Sequence, residues 1–202
     1  MTDPHGSLPR LAPENYRGLA CVHWSLTIDD RKTGWLKPVF YYKFRELLTH
    51  TCFRYGLACP IFCLMPDHMH LLWLGLVASS DQRLAMKFLR KQLNLVLEKL
   101  GAQLQKQPYD HVLSEDERQL VAFQNVVEYI ARNPERKQLV PPDGFRGYPY
   151  TSCLLPGYPD LRACLKSYFP QSWASSSGFR WRSMRWIMHT RIMASLFGTS
   201  SS

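Results

Sequence analysis

The first third of the chain alternates apolar and polar positions and then changes to a helical period. Apolar side chains take every second position through residues 19–28, LACVHWSLTI, and a period of two is typical of a β-strand. Apolar residues then recur at helical spacing from Pro38, which suits the first turn of a helix, to Gly56, which favours a helix end. The pattern therefore predicts a strand followed by a long helix.

Two apolar runs and a second amphipathic segment come next. Residues 61–65 and 68–74 are separated by a Pro-Asp dipeptide that is typical of turns, so they predict a β-hairpin. The segment SSDQ, residues 79–82, matches a capping box and predicts the start of a helix that extends to Leu100. The predicted apolar face of this helix contains Leu84, Ala85, Phe88, Leu89, Leu93, Val96 and Leu100.

One more strand and one more helix are predicted downstream. QPYDHVL, residues 107–113, is a short strand candidate, and SEDE, residues 114–117, is a second capping box. The helix that this box opens is expected to reach Asn133, because Pro134 disfavours helical backbone in the residue before it. Its predicted buried side contains Leu120, Val121, Phe123, Val127 and Ile130.

The predicted order is strand, helix, strand, strand, helix, strand, helix. This βαββαβα order is typical of a ferredoxin-like α+β sandwich, and we expect an antiparallel sheet with helices on one face. Residues 1–16 are expected to form a loosely held N-terminal arm, residues 17–142 the folded domain, and residues 143–202 an irregular, basic and aromatic C-terminal extension.

The chain of 202 residues has a formal net charge of +9, and part of this charge is concentrated near the C-terminus. No acidic residue follows Asp160, whereas Arg162, Lys166, Arg180, Arg182, Arg185 and Arg191 do. A polyanion, most commonly nucleic acid, is the expected partner of such a chain. A basic surface that serves only solubility is the alternative interpretation.

No apolar run reaches the roughly 18–20 residues that a membrane span needs, and residues 1–10 lack the apolar core of a signal peptide. We therefore expect a cytoplasmic protein without a membrane partner. The six cysteines include no CxxC pair, so we expect free and buried thiols. A zinc site at Cys59 and Cys63 is the alternative.

His68 and His70 lie one residue apart near the start of an apolar run. Residues i and i+2 of a strand point to the same side, so the two imidazoles are expected to share one face of the sheet with Leu72 and Leu74. Two nitrogens held in this way form half of a site for a divalent metal. The alternative is a pair of hydrogen-bonded histidines at the edge of the core.

The last predicted helix offers candidate partners for the two imidazoles. Tyr129 and Asn133 are four residues apart and would share one helical face, so a phenol and an amide oxygen could lie against the histidines. The alternative for Tyr129 is a surface tyrosine that packs its ring and leaves its hydroxyl hydrated.

The motif MPDHMHLL, followed downstream by VEYIARNPERKQLV, resembles the single-tyrosine HUH transposases of bacterial insertion sequences, and the REP-associated tyrosine transposases most closely. HUH denotes two histidines that flank a hydrophobic residue, here His68, Met69 and His70. QPYDHVL is similar to the family's strand before the catalytic helix. The resemblance covers residues 17–142, and it identifies this segment as an HUH transposase-like catalytic domain.

The resemblance implies a metal-dependent transposase or endonuclease that cleaves and rejoins single-stranded DNA at hairpins or palindromic repeats. His68, His70 and Asn133 would bind Mg²⁺ or Mn²⁺. Tyr129 would attack the scissile phosphate and leave a 5′-phosphotyrosine and a free 3′-hydroxyl. A monomer that uses its own tyrosine and a homodimer that exchanges tyrosines both remain open. The alternative function is a DNA-hairpin-binding protein of the same fold that lacks the chemistry.

Further basic residues are predicted to bind DNA. Arg83, Lys87 and Arg90 form one stripe on the second predicted helix, and Arg132 and Arg136 flank Tyr129. In the C-terminal extension, arginines that could bind phosphates alternate with tryptophans that could stack on unpaired bases. These residues are Arg180, Trp181, Arg182, Arg185 and Trp186. The alternative for the extension is that its tryptophans dock it on the core.

Overall fold

The computed structural model describes residues 10–154. Its strands are β1 (Cys21–Thr27), β2 (Leu57–Leu64), β3 (His68–Gly75), β4 (Tyr109–Val112) and β5 (Thr151–Leu154). Its α-helices are α1 (Pro38–Tyr55), α2 (Gln82–Glu98), α3 (Leu120–Ala131) and α4 (Asn133–Arg136). Short 3₁₀ helices span Pro13–Tyr16, Asp29–Arg31 and Gly144–Gly147.

The strands form one sheet in the order β4-β1-β3-β2-β5, and every neighbouring pair is antiparallel. The predicted α+β class and the antiparallel sheet are confirmed. The strand β5 was not predicted, and it lies beyond residue 142, where we expected an irregular extension. Its four residues carry too short a pattern to predict a strand, and pairing with β2 provides the hydrogen bonds that extend it.

The sheet is covered on both faces. One apolar cluster joins the sheet to α1 and α2 and contains Trp24, Phe44 and Leu89. A second cluster joins the opposite face to α3 and contains Leu72 and Phe123. The prediction that the helices lie on one face is therefore wrong for α3. Every residue of β2 and β3 is buried, so the apolar side chains that point away from α1 and α2 need a second cover.

The strand β2 begins at Leu57, four residues before the predicted start, and Pro60 lies inside it. Both ladders of β2 shift register around this proline, and a β-bulge is where a strand tolerates a residue without an N–H donor. The bulge also sends Cys59 and Cys63 to opposite apolar clusters, although a spacing of four would place them on one face of a regular strand. This geometry argues against the zinc alternative.

The helix α2 begins with a different cap from the predicted one. The side chain of Asp81 accepts hydrogen bonds from the backbone N–H groups of Arg83 and Leu84, both at 3.0 Å. Ser80 instead donates to the carbonyl of Gly56 at 2.7 Å. The buried face is also rotated from the predicted one, because Leu84 and Leu100 are exposed. Met86 and Leu97 are buried in their place.

The helix α3 is shorter than predicted at both ends. The reciprocal bonds of a capping box do form between Ser114 and Glu117, at 2.9 and 3.3 Å, but they stabilise a turn rather than the first turn of α3. The predicted break before Pro134 is confirmed, since α3 ends at Ala131 and Pro134 lies in the first turn of α4. Phe123, Val127 and Ile130 are buried as predicted, whereas Val121 is exposed.

The described part of the N-terminal arm, residues 10–16, is packed rather than loosely held. Tyr16 is fully buried and donates a hydrogen bond to Asp110 on β4, and Arg10 forms an ion pair with the same carboxylate at 3.2 Å. The chain following the arm passes close to the end of β3, where a Cβ on Gly75 would lie 1.7 Å from the carbonyl oxygen of Gly18. Residues 10–16 are therefore part of the folded domain.

Two further predictions concern cysteines and membrane spans. The thiols of Cys21, Cys52, Cys59, Cys63 and Cys153 are not joined in disulfides and are buried, as expected. Within residues 10–154, no helix combines the length and the hydropathy that crossing a bilayer requires.

Candidate functional site

His68 and His70 lie side by side on the face of β3 that α3 covers. Leu72 and Leu74, two and four residues further along the strand, continue this face into the apolar cluster beneath α3. Each histidine is only 8% exposed, and their Nε2 atoms are 3.1 Å apart. The predicted pairing of the two imidazoles is thus present, and their Nε2 atoms point toward each other.

The outer nitrogen of His68 is held by a carboxylate. Its Nδ1 donates to Asp67 Oδ1 at 2.5 Å, and Arg31 Nη1 donates to Asp67 Oδ2 at 2.9 Å. Burial alone would raise the pKa of Asp67, but the hydrogen bonds from His68 and Arg31 outweigh it and lower that pKa. Asp67 is therefore ionised at neutral pH and orients the His68 ring.

The outer nitrogen of His70 faces β1. Ser25 lies directly opposite His70 in the ladder, and its Oγ is 2.9 Å from His70 Nδ1. His23 Nε2 is 3.1 Å from the same atom. Burial, and then the proximity of the other two histidines, lowers the pKa of His70 to about 3, and burial lowers the pKa of His23 to about 4. These two rings are therefore neutral at physiological pH.

The geometry of the two histidines fits a divalent cation. The Nδ1 atom of each ring has an outer partner, and the two Nε2 atoms face the same point, where they can share a proton or bind a cation together. Two ligands at right angles, each about 2.1 Å from an octahedral cation, lie about 3 Å apart. Within the described part of the chain, no group of three His, Cys, Asp or Glu residues could hold a metal ion.

Tyr129 projects from α3 beside this cluster. Its ring meets the ring of His23 edge-on, with centroids 6.3 Å apart, and His23 in turn contacts His70. The guanidinium carbon of Arg136 lies 4.1 Å from the centroid of the Tyr129 ring. The tyrosine is 46% exposed, so solvent or a substrate can reach it while α3 and Arg136 fix its ring.

Asn133 is placed by the break between α3 and α4. Its Nδ2 donates to the carbonyl oxygens of Tyr129 and Ile130, both at 3.1 Å, so it closes the C-terminal end of α3. The residue is 7% exposed, and no hydrogen bond joins its Oδ1 to another residue in the range 10–154. The amide oxygen therefore retains its capacity to bind a cation.

Sequence comparisons find nothing: no protein-family model and no curated protein matches the chain. A comparison with solved structures does find matches. A REP-associated tyrosine transposase bound to a REP hairpin is 16% identical, with a TM-score of 0.60 over 72% of this chain and 81% of that protein. The chain has the fold of this REP-associated transposase. A candidate transposase from Deinococcus radiodurans R1 is also 16% identical, with a TM-score of 0.40 over 64% of this chain and 97% of that protein.

The REP-associated transposase fold places the predicted DNA-binding residues in three different settings. Arg83, Lys87 and Arg90 line a cleft at α2, on the face of the sheet opposite to the histidines. Arg136 is exposed beside Tyr129. Arg132 contacts Glu128, Glu135 and Asp143 at 2.9–3.2 Å and stacks on Phe145, so its charge already has partners within the fold. Five predicted residues lie outside the described range, namely Arg180, Trp181, Arg182, Arg185 and Trp186.

Three residues that contact the two histidines received no role from the sequence, namely His23, Ser25 and Asp67. The alternation of β1 does place His23 and Ser25 on one face, but only the pairing of β1 with β3 shows that this face carries His70. His111, which is paired with His23 across β1 and β4, donates a hydrogen bond from Nε2 to Glu117 Oε1 at 2.8 Å.

Proposed function

We propose that this chain is a transposase-like enzyme that cleaves and rejoins single-stranded DNA, with Tyr129 as the nucleophile. The single observation that carries the proposal is the convergence of two imidazole Nε2 atoms, 3.1 Å apart, on the sheet face covered by the helix that bears Tyr129. A fold shared with a REP-associated tyrosine transposase supports it. Within one copy of the chain the ring of Tyr129 contacts His23, and His23 contacts His70, so we propose that Tyr129 acts with the histidines of its own chain.

The reaction is a transesterification at phosphorus. The phenolic oxygen of Tyr129 forms a bond to the scissile phosphorus, and the bond from phosphorus to the 3′-oxygen breaks. The phenol loses its proton to solvent and the departing 3′-oxygen gains one, so the products are a 5′-phosphotyrosine and a free 3′-hydroxyl. Attack by another 3′-hydroxyl reverses these steps and joins two strands without nucleotide fuel.

A divalent cation, Mg²⁺ or Mn²⁺, would be held by His68, His70 and the amide oxygen of Asn133. When bound, it would polarise the scissile phosphate and stabilise the negative charge that develops on its oxygens. The neutral state of His70 and the carboxylate on His68 Nδ1 both favour donation from Nε2 to a cation. Asp67 and Ser25 act as positioning residues, because each holds the outer nitrogen of a proposed ligand.

The proposed substrate is DNA with a hairpin or palindromic repeat next to a single-stranded segment. The similar transposase of known structure is bound to a REP hairpin, and the basic net charge of +9 suits a polyanion. Arg136 is exposed beside Tyr129 and has no carboxylate within 4 Å among residues 10–154, so it is available to a DNA phosphate next to the nucleophile.

The test is the trapping of a covalent protein–DNA adduct. A hairpin oligonucleotide with single-stranded flanks is labelled at its 3′ end, because the 5′-phosphotyrosine retains the downstream fragment. Incubation with Mn²⁺ should shift the label to the protein on a denaturing gel, and Tyr129→Phe and His70→Ala should both abolish the shift. Tyr42→Phe, at an exposed tyrosine of α1, is the matched control and should retain it.

Tight binding of the hairpin without any adduct would overturn the proposal and favour the DNA-binding protein that lacks the chemistry. An adduct that persists in Tyr129→Phe would overturn the choice of nucleophile.

A further inference from the structure

A basic cleft of about 530 Å³ lies between the N-terminal arm and α2, on the face of the sheet that α1 and α2 cover. Two distant segments of the sequence supply its cations, because residues 10–17 contribute two and α2 contributes four. These residues are Arg10, Arg17, Arg83, Lys87, Arg90 and Lys91. A single carboxylate, that of Asp81, lines the same cleft. The lining therefore carries a large excess of positive charge.

Contacts within the fold leave most of this charge uncompensated. Asp81 is occupied, because one of its oxygens caps α2 and the other pairs with Arg17 at 3.2 Å. Within the described range, no carboxylate oxygen lies within 4 Å of the charged groups of Arg83, Lys87 or Lys91. These cations are available to an external anion.

The cations are also crowded. Arg90 is half-buried and donates only to an uncharged acceptor, the carbonyl oxygen of Gln105. Its burial, together with the nearby charge of Arg10, lowers the pKa of Arg90. Holding like charges together costs free energy, and a polyanion in the cleft would recover that cost.

The spacing along α2 suits a chain of phosphates better than a single anion. Arg83, Lys87 and Lys91 are four residues apart, so they follow one another along the same side of the helix. At 1.5 Å per residue they span about 12 Å, a length over which a nucleic-acid strand presents about two to four phosphates.

We propose that this cleft binds the phosphate backbone of a DNA segment that extends beyond the cleaved phosphate. The assignment of DNA rests on the proposed function, whereas the cleft itself is separate from the histidines and Tyr129. It therefore predicts a second contact surface whose loss weakens binding and leaves the chemistry intact.

An exposed tyrosine lies between the two surfaces. Tyr109 pairs with Ser25 across β4 and β1, and Ser25 pairs with His70, so all three side chains are on one face of the sheet. Two strand spacings place Tyr109 about 10 Å from His70. Tyr109 is 54% exposed on an edge strand, and its neighbour Pro108 lines the cleft. A strand that leaves the histidines across Tyr109 reaches the cleft around the edge of β4.

The test compares DNA binding by two matched double variants, each of which removes two exposed lysines. Both carry Tyr129→Phe, so that no covalent adduct contributes. Lys87→Ala with Lys91→Ala alters the cleft, and Lys37→Ala with Lys99→Ala is the control outside it. Fluorescence anisotropy measures the affinity from about 50 to about 200 mM salt, for a blunt hairpin and for an unstructured single strand with the same number of phosphates.

We expect the cleft variant to bind at least one of these DNAs about tenfold or more weakly than the control at about 0.1 M salt. The slope of log affinity against log salt should fall in magnitude by about 1.4–1.8, the share of two phosphate contacts. The DNA that loses affinity, the hairpin or the single strand, identifies the form of DNA that the cleft binds.

Equal affinities and equal salt slopes for the two variants, on both DNAs, would overturn the proposal. So would displacement of DNA by polyglutamate as effectively as by competitor DNA at equal charge, because that result would indicate an acidic protein partner. Adduct formation on a short oligonucleotide is measured separately, with Lys87→Ala and Lys91→Ala in a chain that keeps Tyr129. This measurement reports on Tyr129 alone, so the two proposals can fail independently.

Discussion

The two faces of the sheet are formed by the same strands but carry different kinds of side chain. The face under α1 and α2 is closed by large apolar side chains such as Trp24, Leu71 and Trp73, and its cations lie outside, on α2. The face under α3 is apolar only at one end. At the other end it contains His68, His70 and the polar groups around them.

The contrast is sharpest within β3, where neighbouring residues differ only in the face to which they point. His70 and Leu71 are both buried, but Leu71 joins the large apolar cluster and His70 joins a network of hydrogen bonds. The comparison suggests that one face supplies the stability that allows the other to keep buried polar groups. Variants on the two faces should therefore separate stability from activity.

The largest effect should come from truncating the apolar face. Leu71→Ala removes a fully buried side chain and should lower the free energy of unfolding by about 2–5 kcal/mol, by lost burial and the resulting cavity. Urea denaturation followed by circular dichroism measures it. His70→Ala, one residue away, is the comparison: it should abolish the adduct at a much smaller cost in stability, and equal costs for both would contradict the division between faces.

The next effect should appear at the polar face, in metal binding. Asp67→Asn weakens the partner of His68 Nδ1 and should reduce the affinity for Mn²⁺ about 10–100-fold, as is usual when the outer partner of a metal ligand is changed. Calorimetric titration with Mn²⁺ measures it without reference to cleavage. Asp116→Asn, in the turn before α3, is a control with the same change of charge. Identical Mn²⁺ affinities in the two variants would show that Asp67 does not support metal binding.

A smaller effect with a defined pH dependence is expected where the arm joins the apolar face. Burial, and then the hydrogen bond to Asp110, raises the pKa of Tyr16 from 10.0 to about 12. A phenol whose pKa is raised by folding stabilises the protein fully below pH 10, and this contribution disappears as the pH rises through 12. Tyr16→Phe should cost about 1.5 kcal/mol at pH 8 and should flatten the loss of stability above pH 10. The urea midpoints of the wild type and of Tyr16→Phe are measured at pH 8, 10 and 11. If the interpretation is wrong, the difference between the two midpoints will be the same at every pH.

The smallest effects should distinguish two neighbouring arginines. Arg136→Ala removes the cation over the Tyr129 ring and should slow adduct formation about 2–5-fold without changing the melting temperature. Arg132→Ala removes contacts to three carboxylates and should lower the melting temperature by a few degrees. Thermal melts and adduct rates of both variants test the assignment, and the reverse pattern would exchange the roles of the two residues.

Much of the local structure followed from the amino-acid sequence. The period of two in β1, the apolar run of β3, the helical period of α1 and the Gly56 stop are local properties, because side-chain direction repeats with the backbone geometry. The same alternation placed His68 and His70 on one face. The boundaries of α2 and α3 were less predictable, since several polar residues near each start can serve as a cap, and tertiary contacts select among them.

The tertiary structure alone decided how the faces are used. Strand pairing brought His23 and Ser25 to His70, and the side of the sheet on which α3 packs brought Tyr129 to His23. The arm and α2, separated by the whole first half of the domain, met to form the basic cleft. Sequence periodicity reports which side chains share a face of one element, whereas which elements face each other depends on the packing of the complete core.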